Sequence, residues 1–180
     1  MGPPKTIWHL TMSLDGFMAD DHGSLDWMPR DAGSAPMGTA LIPTIGAILA
    51  GRRTYDGGVD VATDDRRPYG GAYTGPVFVL THRPGPAPLD SWIHFVTAGL
   101  PAALATARGS AGAGNVVIFG ADVGQQCLAS GELDELLVHI APVLIGSGTP
   151  AFGGVDGMRA FRVLERSEPG DVTTLRLAPQ

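Results

Sequence analysis

Three short stretches of this 180-residue chain place phosphate-binding residue types directly after apolar runs. Leu49-Ala50-Gly51-Arg52-Arg53-Thr54-Tyr55 sets a glycine, two guanidinium groups and a hydroxyl where a strand gives way to a helix. Glycine lets a ligand approach the backbone, the unpaired N–H groups of a starting helix attract an anion, and Arg52 or Arg53 adds charge. Leu80-Thr81-His82-Arg83-Pro84 presents a hydroxyl, an imidazole and a guanidinium at the end of another apolar run, a set suited to an exposed phosphate such as the 2′-phosphate of NADP. Phe119-Gly120-Ala121-Asp122-Val123-Gly124-Gln125 flanks a helix start with two glycines and offers Asp122 as its N-cap. It matches neither a Walker A loop nor G-x-G-x-x-G, because no Lys-Ser/Thr follows and the glycine spacing differs. Taken singly, Leu49–Tyr55 reads equally well as an ordinary turn with solvated arginines, Leu80–Pro84 reads more readily as an ordinary polar turn, and Phe119–Gln125 is a weak signal.

Other chemistries find less support. The histidines His9, His22, His82, His94 and His139 form no H-x-x-x-H pair, so no metal is expected. His139 lies within an apolar run and reads as a hydrogen-bonded core residue. Asp20, Asp21 and Asp26 with Gly23 do not make an EF-hand loop. Cys127 reads as a small core residue, and G-x-S-x-G occurs nowhere.

The elements that must carry these stretches follow from hydrophobic periodicity and from glycine and proline punctuation. Thr6–Met12 reads as a first strand ending in a turn at Ser13–Gly16. Met37, Leu41 and Ile45 recur four apart on a helix that Pro43 ends or kinks. Ala47–Ala50 is a strand, followed by a helix start at Arg52–Asp56. Val59–Tyr73, with its charges, Pro68 and Gly70-Gly71, reads as surface loop. Strands are expected at Pro76–Leu80, Ile93–Val96 and Val116–Phe119, and helices at Leu100–Arg108 and Asp122–Ser130. Leu133–Val143 is almost continuously apolar after its acidic start, as in a strand buried on both faces. Phe161–Glu165 and Val172–Leu177 flank Pro169-Gly170 and read as a terminal hairpin. Strands alternating with helices predict one domain over residues 1–180. It is a three-layer α/β/α sandwich whose mostly parallel mixed sheet carries a C-terminal antiparallel hairpin on its edge.

Composition narrows the partners. Lys+Arg 12 against Asp+Glu 18 leaves a net charge of −6, which argues against a nucleic-acid face but permits a local basic pocket. One Cys excludes a disulfide framework. No apolar run is long enough to span a bilayer and no secretory signal is visible, so a cytoplasmic protein is expected. The apolar run Leu136–Ile145 and the hairpin predict an exposed apolar strip covered by a second copy, hence a homodimer.

Five motifs occur in an order that resembles the dihydrofolate-reductase-like superfamily. They are Ser13-Leu14-Asp15-Gly16-Phe17-Met18-Ala19, Leu49–Tyr55, Leu80–Arg83, Phe119–Asp122 and Leu137-Val138-His139-Ile140-Ala141-Pro142-Val143-Leu144-Ile145-Gly146-Ser147-Gly148. The most similar branch holds the reductase domain of the bifunctional deaminase-reductase of bacterial riboflavin biosynthesis. The resemblance implies an NADPH-dependent oxidoreductase acting on a small heterocycle or ribosylaminopyrimidine. It implies Gly51, Arg52, Arg53 and Thr54 at a cofactor phosphate and Thr81, His82 and Arg83 at the 2′-phosphate. Gly120, Ala121, Asp122, Val123, Gly124 and Gln125 would meet the pyrophosphate, Thr97 the adenosine end, and Thr11 and Ala19 the nicotinamide. Trp27 would lie on a loop over the nicotinamide. Dihydrofolate reductases proper carry an acid on the first helix, yet Ser34–Ile45 contains no Asp or Glu. Asp26 and Asp31, just before it, are the candidate acids. The alternatives are a nucleotide-binding protein of this fold without turnover, and a pterin or dihydrofolate reductase.

Overall fold

A computed structural model describes residues 2–29, 35–57, 67–85, 90–168 and 170–180. Its centre is an eight-stranded sheet. In chain order the strands are β1 (Thr6–Ser13), β3 (Ile45–Gly51), β4 (Val77–Leu80), β5 (Ile93–Val96), β6 (Asn115–Phe119), β7 (Glu135–Ala141), β9 (Phe161–Ser167) and β10 (Thr173–Pro179). In space they run β5-β4-β3-β6-β1-β7-β10-β9. The first six of that order are parallel. β10 is antiparallel to β7, and β9 to β10, as expected of a terminal hairpin at the sheet edge. A second, two-stranded antiparallel sheet joins β2 (Phe17–Ala19) to β8 (Thr149–Pro150), a pairing too short to leave a periodic signal.

Side-chain alternation divides the core between the two faces of the sheet. On one face Trp8, Leu10, Leu49, Val116, Ile118, Leu136 and Val138 pack under helices α3 (Gly99–Ala111) and α4 (Ala121–Ala129). Leu100, Ala103, Leu104, Ala107 and Ala111 form the buried stripe of α3, spaced three and four apart. On the other face Ile7, Ile48, Val77, Val79, Val117 and Leu137 pack with Met37 and Leu41 of helix α1 (Pro36–Leu41). Pro36 starts α1, and Pro43 converts its end into a 3₁₀ turn over Ile42–Thr44. Helix α2 (Arg52–Gly57) is a short turn following β3. β7 is buried on both faces except at Ile140.

One expectation needs correcting. The segment Val59–Tyr73 read as surface loop, yet in its described end, 67–73, Tyr73 is only 5 % exposed and Tyr69 is largely buried. Tyr73 Oη donates to the carbonyls of Gly46 and Pro76, and Tyr69 reaches a buried histidine. Charges and glycines nearby masked two aromatic anchors.

Candidate active site

β3 and β6 are neighbours, but their chains leave in opposite directions: β3 through α2 to β4, β6 through α4 to β7. Such a switch point opens a crevice beyond the carboxyl ends of the strands, where ligands of open α/β sheets bind. Gly51 and Gly120 stand there side by side. Gly120 has φ +95, and a Cβ on it would lie 2.3 Å from Thr54 Oγ1 and 3.9 Å from the Gly51 nitrogen. Only glycine accepts both that conformation and that contact. The first and third phosphate-type stretches thus meet in space.

The neighbouring strands continue the row. Thr81–Arg83 follows β4 and Thr97 follows β5 along the same edge. Thr81 is buried, and its hydroxyl accepts from the Arg83 backbone N–H at 3.0 Å, shaping the turn and leaving His82 and Arg83 exposed. Arg52 behaves differently from expectation. Its Nε donates to both carboxylate oxygens of Asp56, and its Nη1 donates to the carbonyls of Arg83 and Pro84. Its guanidinium also lies over the rings of Tyr55 and Phe95. Its Nε is thus spent within α2, and its Nη1 braces the turn after β4 against α2. Arg53 remains exposed to solvent.

α4 begins without a side-chain cap, and its first backbone bond runs from the Gly124 N–H to the Gly120 carbonyl. The preceding amides at Ala121, Asp122 and Val123 are the orphan donors of a helix start. The Asp122 carboxylate accepts from the Gln126 amide. Other residues of this stretch serve packing. Val123 is 1 % exposed, a Cβ on Gly124 would lie 2.0 Å from Trp8 Cε2, and the Gln125 amide donates to the carbonyls of Pro150 and Ala151.

A notch opens between β1 and β6. Their pairing ends at Trp8 and Ile118, while β1 continues along β7 to Ser13. Thr11 lies on this freed part of β1. Ala19, on β2, pairs with Thr149. The Ser13–Ala19 and Leu144–Gly148 motifs clasp each other at the rim. The Asp15 carboxylate accepts from the Ser13 hydroxyl at 2.6 Å and from the N–H groups of Ile145 and Gly146, and Ser147 bonds Asp21. The Ser13 hydroxyl, aided by those amides, holds the Asp15 carboxyl below the ordinary carboxylate range.

The candidate acids sit at the margin. Asp26 is exposed in a turn closed by the Met28 N–H on the Leu25 carbonyl. Trp27 is half-buried, and its indole N–H has no hydrogen-bond partner among the described residues. Asp31 lies outside the described residues. α1, Pro-Met-Gly-Thr-Ala-Leu, carries no acid.

Sequence reasoning missed a buried polar chain under the notch. His9 Nδ1 meets Tyr69 Oη at 2.7 Å, His9 Nε2 meets His139 Nε2 at 2.8 Å, and His139 Nδ1 meets Thr174 Oγ1 at 2.8 Å. Gly38 of α1 covers the pair; a Cβ there would lie 3.4 Å from His9 Cε1 and 3.5 Å from His139 Nε2. Phe119 packs on both Tyr69 and His9. Burial pushes both imidazole pKa values well below 6.5, so both rings are neutral. The core role read for His139 is borne out. Its partner was invisible, because strand neighbours 130 positions apart leave no local signal.

The sequence pattern of the RibD C-terminal domain family matches residues 4–173. The chain belongs to this family. The RibD C-terminal domain fold recurs in solved structures. A putative riboflavin biosynthesis protein from Shewanella sp. PV-4 superposes with a TM-score of 0.81 at 26% identity, covering 98% of this chain and 99% of that one. RibD of Acinetobacter baumannii superposes at 0.76 with 20% identity. A diaminohydroxyphosphoribosylaminopyrimidine deaminase/5-amino-6-(5-phosphoribosylamino)uracil reductase of Thermotoga maritima superposes at 0.71 with 16% identity. These last two likenesses show the fold alone, and this RibD C-terminal domain covers 59% and 57% of those longer chains. Among curated proteins, the uncharacterized protein YwjB of Bacillus subtilis (strain 168) is 28% identical over 172 residues, 95% of each chain. The family relation and these superpositions show a dihydrofolate-reductase-like fold. Among the described residues no helix is long and apolar enough to cross a membrane, and no group of three or more His, Cys, Asp or Glu could hold a metal ion.

Proposed function

We propose that this chain is an NADPH-dependent reductase acting on a ribosylaminopyrimidine of the 5-amino-6-(5-phosphoribosylamino)uracil type. The observation that carries the reading is the meeting of Gly51, Thr54 and Gly120 at the switch point, with the exposed pair His82 and Arg83 one strand away. The donor set fits a dinucleotide phosphate: the uncapped start of α4, the glycine-lined crevice and two exposed guanidinium groups, with no acidic residue in the Thr81–Arg83 turn. Gly51, Arg53 and Thr54 would hold one phosphate, His82 and Arg83 the 2′-phosphate, and the amides of Ala121 and Asp122 the pyrophosphate. Thr97 would face the adenosine end. Thr11 and Ala19 would flank the nicotinamide in the notch.

When bound, the dihydronicotinamide supplies a hydride to the sugar carbon that the substrate's amine carries. The protein's contribution is orientation and exclusion of water. The Asp15 clasp fixes the rim, α1 and Phe119 wall the notch, and Trp27 would close over it. Asp26 would help deliver the proton that balances the reduction. The acid-free α1 favours one second reading, a nucleotide-binding protein without turnover, and it speaks against folate as substrate. Calorimetric titration with NADPH tests the cofactor assignment directly. Binding saturable at one site per chain is expected, and no binding at millimolar nucleotide would remove the reading.

A further inference from the structure

The chain Thr174–His139–His9–Tyr69 has four members and one accessible end. Thr174 and His139 are 0 % exposed, His9 is 9 % exposed, and Tyr69 is the least buried member. Two arrangements of its protons satisfy the three contacts. In one, Tyr69 O–H donates to His9, His9 Nε2–H to His139, and His139 Nδ1–H to Thr174. In the other, every donor is reversed.

The two differ at the ends. Among the described residues the Thr174 hydroxyl has one partner, His139 Nδ1. If Thr174 accepted from His139, its own proton would be left in the core with no acceptor, which is costly. If Thr174 donates, the only cost there is an unused lone pair. The buried end therefore sets the direction. Thr174 O–H donates to His139 Nδ1, His139 Nε2–H to His9 Nε2, and His9 Nδ1–H to Tyr69 Oη. With its oxygen accepting from His9, the Tyr69 phenol keeps its own proton free for another acceptor, on a ring that packs against Phe119 at the end of β6. Tyr69 holds φ 58, the one positive φ outside glycine among the described residues, so the surroundings impose a conformation of some cost to place this ring.

We propose that Tyr69 is a specificity-determining donor for a ring carbonyl of a pyrimidine substrate, its direction fixed from the core by Thr174, His139 and His9. This rests on the reductase reading above. A ligand offering an acceptor is held; one offering a donor at that place leaves two protons facing each other. The neutral state of both imidazoles, which burial enforces, keeps the direction single-valued at neutral pH.

The first test needs no ligand. In the full chain labelled with nitrogen-15 at histidine, NMR reads which nitrogen of each ring carries the proton. His9 is expected as the Nδ1–H tautomer and His139 as the Nε2–H tautomer; the opposite pair overturns the inference. The second test is Tyr69→Phe with 5-amino-6-(5-phosphoribosylamino)uracil as probe. Its dissociation constant is expected to rise about threefold to tenfold, the worth of one neutral hydrogen bond, while that for NADPH stays unchanged. Unchanged probe affinity overturns the inference. Absence of NADPH binding to the wild type would remove the reductase reading and this one with it, whereas intact NADPH binding with reversed tautomers removes this one alone.

Discussion

His9 and His139 face each other nitrogen to nitrogen at 2.8 Å, on adjacent parallel strands and beneath a glycine of α1. Neither ring has room to hold a charge. Burial, and for His9 the neighbouring His139, lowers their pKa values far below 6.5. Unfolding releases both into water, where they take up protons again near their ordinary value.

The sign of the resulting pH dependence follows. Below pH 6.5 the unfolded chain binds more protons than the folded one, so stability is complete above that pH and falls as acid is added, down through the folded values. At pH 5 the loss is about 2 kcal/mol for each histidine. Denaturant melts of wild type and His139→Gln at pH 7.5 and pH 5 should show a smaller acid loss in the variant. Equal losses would place the acid sensitivity elsewhere.

Gly124 sits flat on Trp8, with no space for a methyl group. Gly124→Ala should destabilise the fold by roughly 1–3 kcal/mol through overpacking, although alanine favours a helix. The folded fraction should still bind NADPH with wild-type affinity. A thermal melt and a titration check both halves, and a stable variant with weakened NADPH binding would return Gly124 to the cofactor site.

Arg83 is exposed at the end of β4, and its turn is held by Thr81 and by the Arg52 brace rather than by its own side chain. Arg83→Ala should weaken NADPH about tenfold to a hundredfold, as for loss of a charge-assisted bond to phosphate, and leave NADH nearly unchanged. Paired dissociation constants decide it. Equal losses for both nucleotides would move Arg83 away from the 2′-phosphate.

β9 forms an open sheet edge on which Val163 is 56 % and Leu164 is 42 % exposed. Long apolar edges are rarely left uncovered. Light scattering at micromolar concentration should give a homodimer mass, and Val163→Lys should shift it towards monomer. A monomeric wild type would contradict this.

The parallel part of the sheet was legible because its strands are compact apolar runs punctuated by glycine, proline or polar turns. Leu133–Val143 announced a doubly buried strand, and the Pro169-Gly170 pair announced the hairpin. The crevice was legible as three separate stretches, but not the division of labour within them. Arg52, Gly124 and Gln125 have the residue types of a phosphate site and are occupied by Asp56, Trp8 and the β8 backbone. Such competition between ligand and packing roles is settled only by tertiary neighbours. The histidine chain left no trace in the sequence because its members come from β1, β7, β10 and a loop that looked merely polar.

The proposed function stands or falls on hydride transfer from NADPH to a ribosylaminopyrimidine. The most direct measurement is NADPH oxidation followed optically with 5-amino-6-(5-phosphoribosylamino)uracil, alongside dihydrofolate as control. Stoichiometric conversion to the ribitylamino product is expected, with NADPH preferred over NADH and no turnover of dihydrofolate. Tight NADPH binding with no oxidation by the pyrimidine would contradict it and leave a nucleotide-binding protein.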